Sequence, residues 1–289
     1  MASAISLVLD NQPPVAVPWE NFKMPPFPQV ALKVVQLAGN ENVQFKRLSD
    51  LVGTDPGFAS EILTIANSFL YAPRYPIKTV MQAIEVLGVE HLQGLCLTVG
   101  VRSYLGRSLR YPAMRTLWRH NLACALIAEQ VASAGTMARD VAYTTGILHD
   151  IGRLALAVVR PAEYVDLLGR HVGNSASILD REREVFGMDH CQIGELLVEQ
   201  WKLPEDFIPI MGRHHDQPLF NGQWGMPELL NLSCRMADAA GYAAFPACYS
   251  APFSELVEEL PARERNLFHT DVETLSFEVS KKIAAIEAS

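Results

Sequence analysis

Along this chain apolar residues recur at intervals of three and four, the spacing of one helix face, and alternation by two is nearly absent. Val30, Val34 and Leu37 make the first such stripe, which stops at Gly39. Asp55 followed by Pro56 reads as a cap and a first-turn proline, opening a helix through Ile62, Leu63 and Ala66. Thr79 caps Val80–Leu87, with Gly88 as a left-handed stop. A further apolar stretch, Leu92–Leu105, ends before Tyr111 and Pro112. Beyond Pro112 the stripes lengthen: Trp118–Val131, Val141–Val159, Ile178–Phe186, Gln192–Trp201, Glu205–Arg213 and Glu228–Ala240, then Phe253–Leu260 and Val272–Ile286. The stretch up to Pro28, which also holds Pro13, Pro14, Pro18, Pro25 and Pro26, reads as an extended arm. There is no fixed-period repeat. The pattern predicts an all-α fold with a soft boundary at Gly106–Pro112. It divides into an arm over 1–21, a helical lobe over 22–110, a second lobe over 111–240 and a helical extension over 241–289.

Composition narrows the classes. A chain of 289 residues with 49% hydrophobic content can bury a sizeable core. Its formal net charge of −8, with no run of Lys and Arg, gives no pull toward nucleic-acid phosphates or anionic lipid. Neither a nucleic acid polymer nor a membrane is expected as a partner. The apolar patch Ile5–Leu9 lacks a basic flank, and no uncharged run approaches the ~20 residues of a membrane span. Cys96, Cys124, Cys191, Cys234 and Cys248 are scattered and form no CxxC pair, which reads as buried, reduced thiols rather than disulfides or a zinc knuckle. The expected compartment is the cytoplasm.

The candidate chemistry lies after Pro112. His149 and Asp150 sit in Gly146–Arg153 among aliphatic residues, where a charged Asp is costly unless it is paired or bound to a cation. Alone, the two side chains reads most simply as a self-satisfied pair. They are not alone: His120 lies on the preceding helix, His190 opens the helix after Gly187, His214 and His215 close another, and Asp238 lies in an apolar helical stretch. Imidazole with carboxylate suits iron, manganese, nickel or zinc. Ligands spread over five helices can meet only in the core of a bundle.

The order His, His-Asp, Asp resembles the HD metal-dependent phosphohydrolase superfamily. The resemblance implies an HD-type bundle with His120, His149, Asp150 and Asp238 as core ligands of a divalent ion. It further implies that His190, with His214 or His215, serves a second ion and that Asp150 bridges the two. His91, His171 and His269 match nothing in that pattern and are expected at the surface. Met24-Pro25-Pro26-Phe27-Pro28, Asp55-Pro56, Ile65-Ala66-Asn67-Ser68 and Ala83-Ile84-Glu85-Val86-Leu87-Gly88 resemble the HD-related output domain, HDOD. Gly187-Met188-Asp189-His190, Trp201-Lys202-Leu203-Pro204 and His214-His215 are similar to the same family, so that the likeness covers about 22–240. It implies a bacterial signalling protein with an additional N-terminal helical lobe.

Three departures bear on function. The Gly-Tyr-Pro motif of relatives that cleave cyclic di-GMP is replaced after His215 by Asp216-Gln217-Pro218-Leu219-Phe220. Thr116 stands where relatives with three metals carry a glutamate, and Arg153 where a lysine commonly follows the His-Asp pair. An arginine keeps a cationic fork for phosphate better than it keeps proton transfer. Two functions follow. One is a signalling module with a protein partner and one or two metal ions. The other is a metal-dependent phosphohydrolase for a nucleotide or other phosphoester, with Asp150, Arg153 and His215 in catalytic roles and not a typical cyclic di-GMP phosphodiesterase. The near-complete ligand set leans toward metal binding, and nothing in the pattern selects an oligomeric state.

Overall fold

The structure, a computed structural model, describes residues 24, 26–38, 44–174, 176–216 and 224–288. The expected arm, the stop at Gly39 and Gln217–Phe220 lie outside these. Five helices come first: α1 (Gln29–Ala38), α2 (Phe45–Val52), α3 (Pro56–Ala66), α4 (Val80–Leu87) and α5 (Val89–Leu105). Next come α6 (Pro112–Ser133), α7 (Arg139–Leu148), α8 (Ile151–Val159), α9 (Pro161–Arg170), α10 (Ile178–Phe186), α11 (His190–Gln200), α12 (Ile208–Arg213) and α13 (Met226–Ala239). Three more, α14 (Phe253–Glu258), α15 (Ala262–Leu267) and α16 (Val272–Glu287), close the described chain. The fold is all-α. The strand content of the described residues is one parallel pairing, β1 (Val172–Gly173) with β2 (Ala247–Cys248), too short to leave a period-two signal.

Helix starts follow the side-chain chemistry. Asp55 accepts from Phe58 N–H at 3.0 Å with Pro56 in the first turn, and Thr79 Oγ1 accepts from Gln82 N–H at 3.1 Å. Gly88 ends α4 at φ 89°, a conformation that carries a steric penalty in any residue with a Cβ. The apolar core runs without interruption from Phe27 to Ile286. Phe27 and Tyr104 stack on Trp201 with ring centroids 4.7 and 5.7 Å away, joining the first five helices to α11.

The structure departs from the sequence pattern in several places, and α2 and α9 are helices that the pattern did not mark. The expected helix Val141–Val159 is broken at His149 and Asp150, where Asp150 has φ −98° and ψ 19°. Periodicity cannot see the break, because apolar positions continue on both sides of it. Its cause is packing: α7 is clamped to α6, where a Cβ on Gly146 would lie 2.5 Å from Ala125 Cα. The next helix, α8, is clamped to a different neighbour, α11, through Gly152. The expected helix Phe253–Leu260 ends at Glu258, and a further short helix that the pattern did not mark, α15, follows Pro261. His171 is not a surface residue: it is 8% exposed, lies edge-on to Phe245 at 4.9 Å and meets Ser177 Oγ at 3.1 Å. His91 and His269 are exposed as expected. Among the described residues no helix is long and apolar enough to cross a membrane.

Candidate metal centre

The elements that bring the donors together are α6, the α7–α8 turn, α11, the end of α12, and α13. On α6, His120 and Cys124 lie one turn apart on the same face. The break after α7 presents His149 and Asp150, and Arg153 follows on the first turn of α8. His190 is held at the first turn of α11 by a capping box between Asp189 and Gln192. His214 and His215 follow α12, and Cys234 and Asp238 lie one turn apart on α13.

Four histidines are oriented by their Nδ1 atoms. His120 Nδ1–H donates to Tyr242 O at 2.7 Å, His149 to Gly146 O at 2.7 Å and His214 to Met211 O at 2.8 Å. His190 Nδ1–H donates to Glu182 Oε2 at 2.6 Å, and Glu182 itself accepts from Tyr164 Oη. Spending Nδ1 on these acceptors leaves each Nε2 lone pair turned inward, the arrangement that metal-binding histidines use.

The inward atoms fall into two groups. In the first, Asp150 Oδ1 lies 3.2 Å from His190 Nε2 and 3.3 Å from His214 Nε2, and His215 Nε2 lies 3.0 Å from His190 Nε2. Donors about 2.1 Å from a shared ion would be spaced about 2.9–3.4 Å apart, so the group has the right size. The second group holds His120 Nε2, Cys124 Sγ, His149 Nε2 and Cys234 Sγ, all within 4.8 Å of one another. Asp150 lies between them. Its Oδ2 is buried, makes no hydrogen bond, and stands 3.6 Å from His149 Nε2 and 4.0 Å from His120 Nε2. A buried carboxylate oxygen that makes no hydrogen bond and faces two imidazoles as well as the Arg153 guanidinium fits a divalent ion.

Arg153 is the site's own cation. It is fully buried, with Nε 3.3 Å from Asp150 Oδ2 and Nη2 3.2 Å from His190 Nε2 and 3.3 Å from His215 Nε2. Burial opposes the charge on Asp150, but Arg153, His149 and His190 hold its carboxyl well below the usual range. Burial pushes His214 and His215 down, and the neighbouring imidazoles add to this for His215, which leaves both rings neutral. At His149 burial is outweighed by Cys234 and Asp150, which bring it up to about 9, so that an ion arriving there displaces a proton from Nε2.

Of the residues singled out in the sequence, His120, His149, Asp150, His190, His214, His215 and Arg153 converge. Asp238 does not join the inner donors. It stands behind His120, with Oδ1 3.5 Å from Nδ1 and Oδ2 accepting from Cys248 Sγ at 3.5 Å, and burial pushes its carboxyl up to about 6. The sequence reading missed Cys124, Cys234 and Glu182. The cysteines left a faint signal, each one turn from a singled-out residue. Glu182, eight residues before His190, left none.

This fold is shared with solved proteins. An HDOD domain protein with unknown function from Geobacter sulfurreducens superposes with a TM-score of 0.69 at 22% identity, over 92% of each chain. A candidate phosphohydrolase from Shewanella amazonensis SB2B gives 0.66 at 20% identity, over 91% of this chain and 94% of its own. A candidate signal transduction protein from Marinobacter aquaeolei VT8 gives 0.70 at 24% identity, over 91% of this chain and 59% of its own. An uncharacterized protein of Treponema pallidum (strain Nichols) is 23% identical over 199 residues, 68% of this chain, and the match spans about two fifths (38%) of that relative's length. The HDOD domain family itself matches residues 24–217, a span that holds every donor of the two groups except Cys234, and the chain therefore belongs to the HDOD domain family.

Proposed function

We propose that the chain is a signal-transduction module in which an HD-type metal centre, of one or two divalent ions, sets the relative positions of the helices around Asp150 and so the surface offered to a protein partner. The observation that carries this reading is the burial of the centre. Asp150, Arg153, His190 and His214 are each 0% exposed, and His215 alone of the first donor group is half-buried. A set of donors sealed among helices suits an ion that orders the fold better than a reacting phosphoester.

One feature favours a second reading, phosphoester hydrolysis. Arg153 Nη1 is buried without a hydrogen-bond partner, while Nη2 and Nε of the same guanidinium reach the first donor group. A divalent ion there would supply Lewis acidity toward a phosphoryl oxygen. Arg153 would hold a second oxygen, and the neutral His215 ring, 3.0 Å from His190 Nε2, would be available for proton transfer.

Elemental analysis of protein purified without added metal, followed by a panel of nucleotides and simple phosphoesters with iron, manganese and nickel, separates the two. The signalling reading expects bound metal and no turnover. Turnover that disappears in both Asp150→Ala and His149→Ala would replace it with hydrolysis, and a wild-type protein that takes up no metal would sink both.

Glu182 provides a finer test. The Glu182→Gln variant keeps the shape but loses the anion that holds His190 Nδ1–H. Its metal affinity, read by chelator competition, is expected to fall about 10- to 100-fold. Tyr164→Phe removes a hydrogen bond to Glu182 while leaving its charge in place, and should fall by much less. Equal losses in the two variants would mean that Glu182 does not act through His190.

A further inference from the structure

Two cysteines that the His-Asp pattern does not use meet two histidines that it does. His120 and Cys124 come from one face of α6, His149 from the α7–α8 turn and Cys234 from α13. Cys124 Sγ lies 3.4 Å from His120 Nε2, and Cys234 Sγ lies 3.3 Å from His149 Nε2. Around a tetrahedral zinc ion, sulfur and nitrogen donors are about 3.6 Å apart, so modest closure or opening at the side chains satisfies the geometry. Both rings are already fixed with Nδ1 on a backbone carbonyl and Nε2 facing the sulfurs. All four side chains are buried, at 1% exposure or less. Two sulfur and two nitrogen donors in a dry pocket are the donor set of a closed zinc site, and thiolate disfavours magnesium and manganese.

We propose that His120, Cys124, His149 and Cys234 form a four-ligand site for a soft divalent ion of the zinc class, which both sulfurs ligate as thiolates and both imidazoles through Nε2. Four protein donors leave no open position, so the ion pins α6 and α13 to the α7–α8 turn and takes no substrate. The assignment gives His120 and His149 sulfur partners and leaves Asp238 behind His120 as a positioning residue. It does not rest on the group of Asp150, His190, His214 and His215, which can bind its own ion or none.

Cobalt reports thiolate ligation directly. The full chain, stripped of metal and reduced, is titrated with cobalt(II), and sulfur-to-cobalt charge-transfer absorption in the near ultraviolet is recorded together with the cobalt bound. The band is expected in the wild type, in the control Cys96→Ser and in His190→Ala/His214→Ala, and is expected to be lost in Cys124→Ser/Cys234→Ser. Bound cobalt without the band, or a band that survives both cysteine replacements, would overturn the site. A lower cobalt stoichiometry in the histidine variant with the band retained counts for this site while testing the other group separately. Should the double serine variant not fold, alkylation of the wild type decides. Zinc is expected to block Cys124 and Cys234 and leave Cys96 unchanged, and equal rates with and without zinc would overturn the assignment.

Discussion

The Asp150→Ala protein is expected to come through purification without a divalent ion at the group of Asp150, His190, His214 and His215, and to unfold at a markedly lower urea concentration than the wild type. Asp150 is the anion among four cationic or lone-pair neighbours: Arg153 Nε at 3.3 Å, His190 Nε2 at 3.2 Å, His214 Nε2 at 3.3 Å and His149 Nε2 at 3.6 Å. Removing it takes the only carboxylate from the group it forms with His190, His214 and His215. It also leaves the fully buried Arg153 guanidinium without its nearest counter-charge. Breaking a buried pair in this way costs about 3–5 kcal/mol, far more than the pair contributes relative to an apolar replacement. Asp150→Asn keeps the volume and isolates the charge. Elemental analysis and urea denaturation check both halves, and an Asp150→Ala protein with wild-type metal content and midpoint would remove Asp150 from the centre.

Gly152→Ala is expected to be nearly as damaging without altering any donor. A Cβ at Gly152 would lie 2.0 Å from His190 O and 2.6 Å from Gly194 N. Both are backbone atoms of α11, which cannot swing aside as a flexible side chain does. The helices α8 and α11 would have to separate, and overpacking of this kind costs about 1–3 kcal/mol and sometimes more, here at the upper end. The separation draws His190 away from Asp150, so metal retention should fall together with stability. Gly169→Ala is the control: nothing lies within 4 Å of its Cβ, and an alanine in a helix is worth up to about 1 kcal/mol over glycine. Thermal denaturation of the pair should show a large loss beside no loss or a small gain. Equal effects would mean that the α8–α11 contact is looser than described.

The contrast between what the chain shows on paper and in space is sharpest at the centre. Helix starts at Asp55 and Thr79 were legible because a cap is a local event, a side chain bonding a backbone three residues on. The histidines were legible because a polar group in an apolar stripe is conspicuous wherever it ends up. The break at His149 and Asp150 was not, because it is imposed by α6 and α11, neighbours far away along the chain. Cys124 and Cys234 looked like ordinary core thiols, since 110 residues separate them and each is apolar enough to sit in a stripe. Glu182 read as one more charge in Asp180-Arg181-Glu182-Arg183-Glu184, although it alone of that run is fully buried. Which of several carboxylates turns inward is set by the pitch of α10 against Tyr164 and His190, and composition does not record pitch.

The turn at His149 and Asp150 has a mechanical consequence. The helix before it, α7, is tied back to α5 by Tyr143 Oη and Thr98 Oγ1, 2.8 Å apart, while the helix after it, α8, is locked to α11 at Gly152. Any push that charge exerts between Asp150 and His190 acts on the second pair of helices and meets the first pair through a joint of two residues. A joint that short cannot absorb a displacement by stretching; it can only swivel. Torque at the buried donors would thereby reach the packing of α5, on the half of the molecule whose described residues supply no donor to either group.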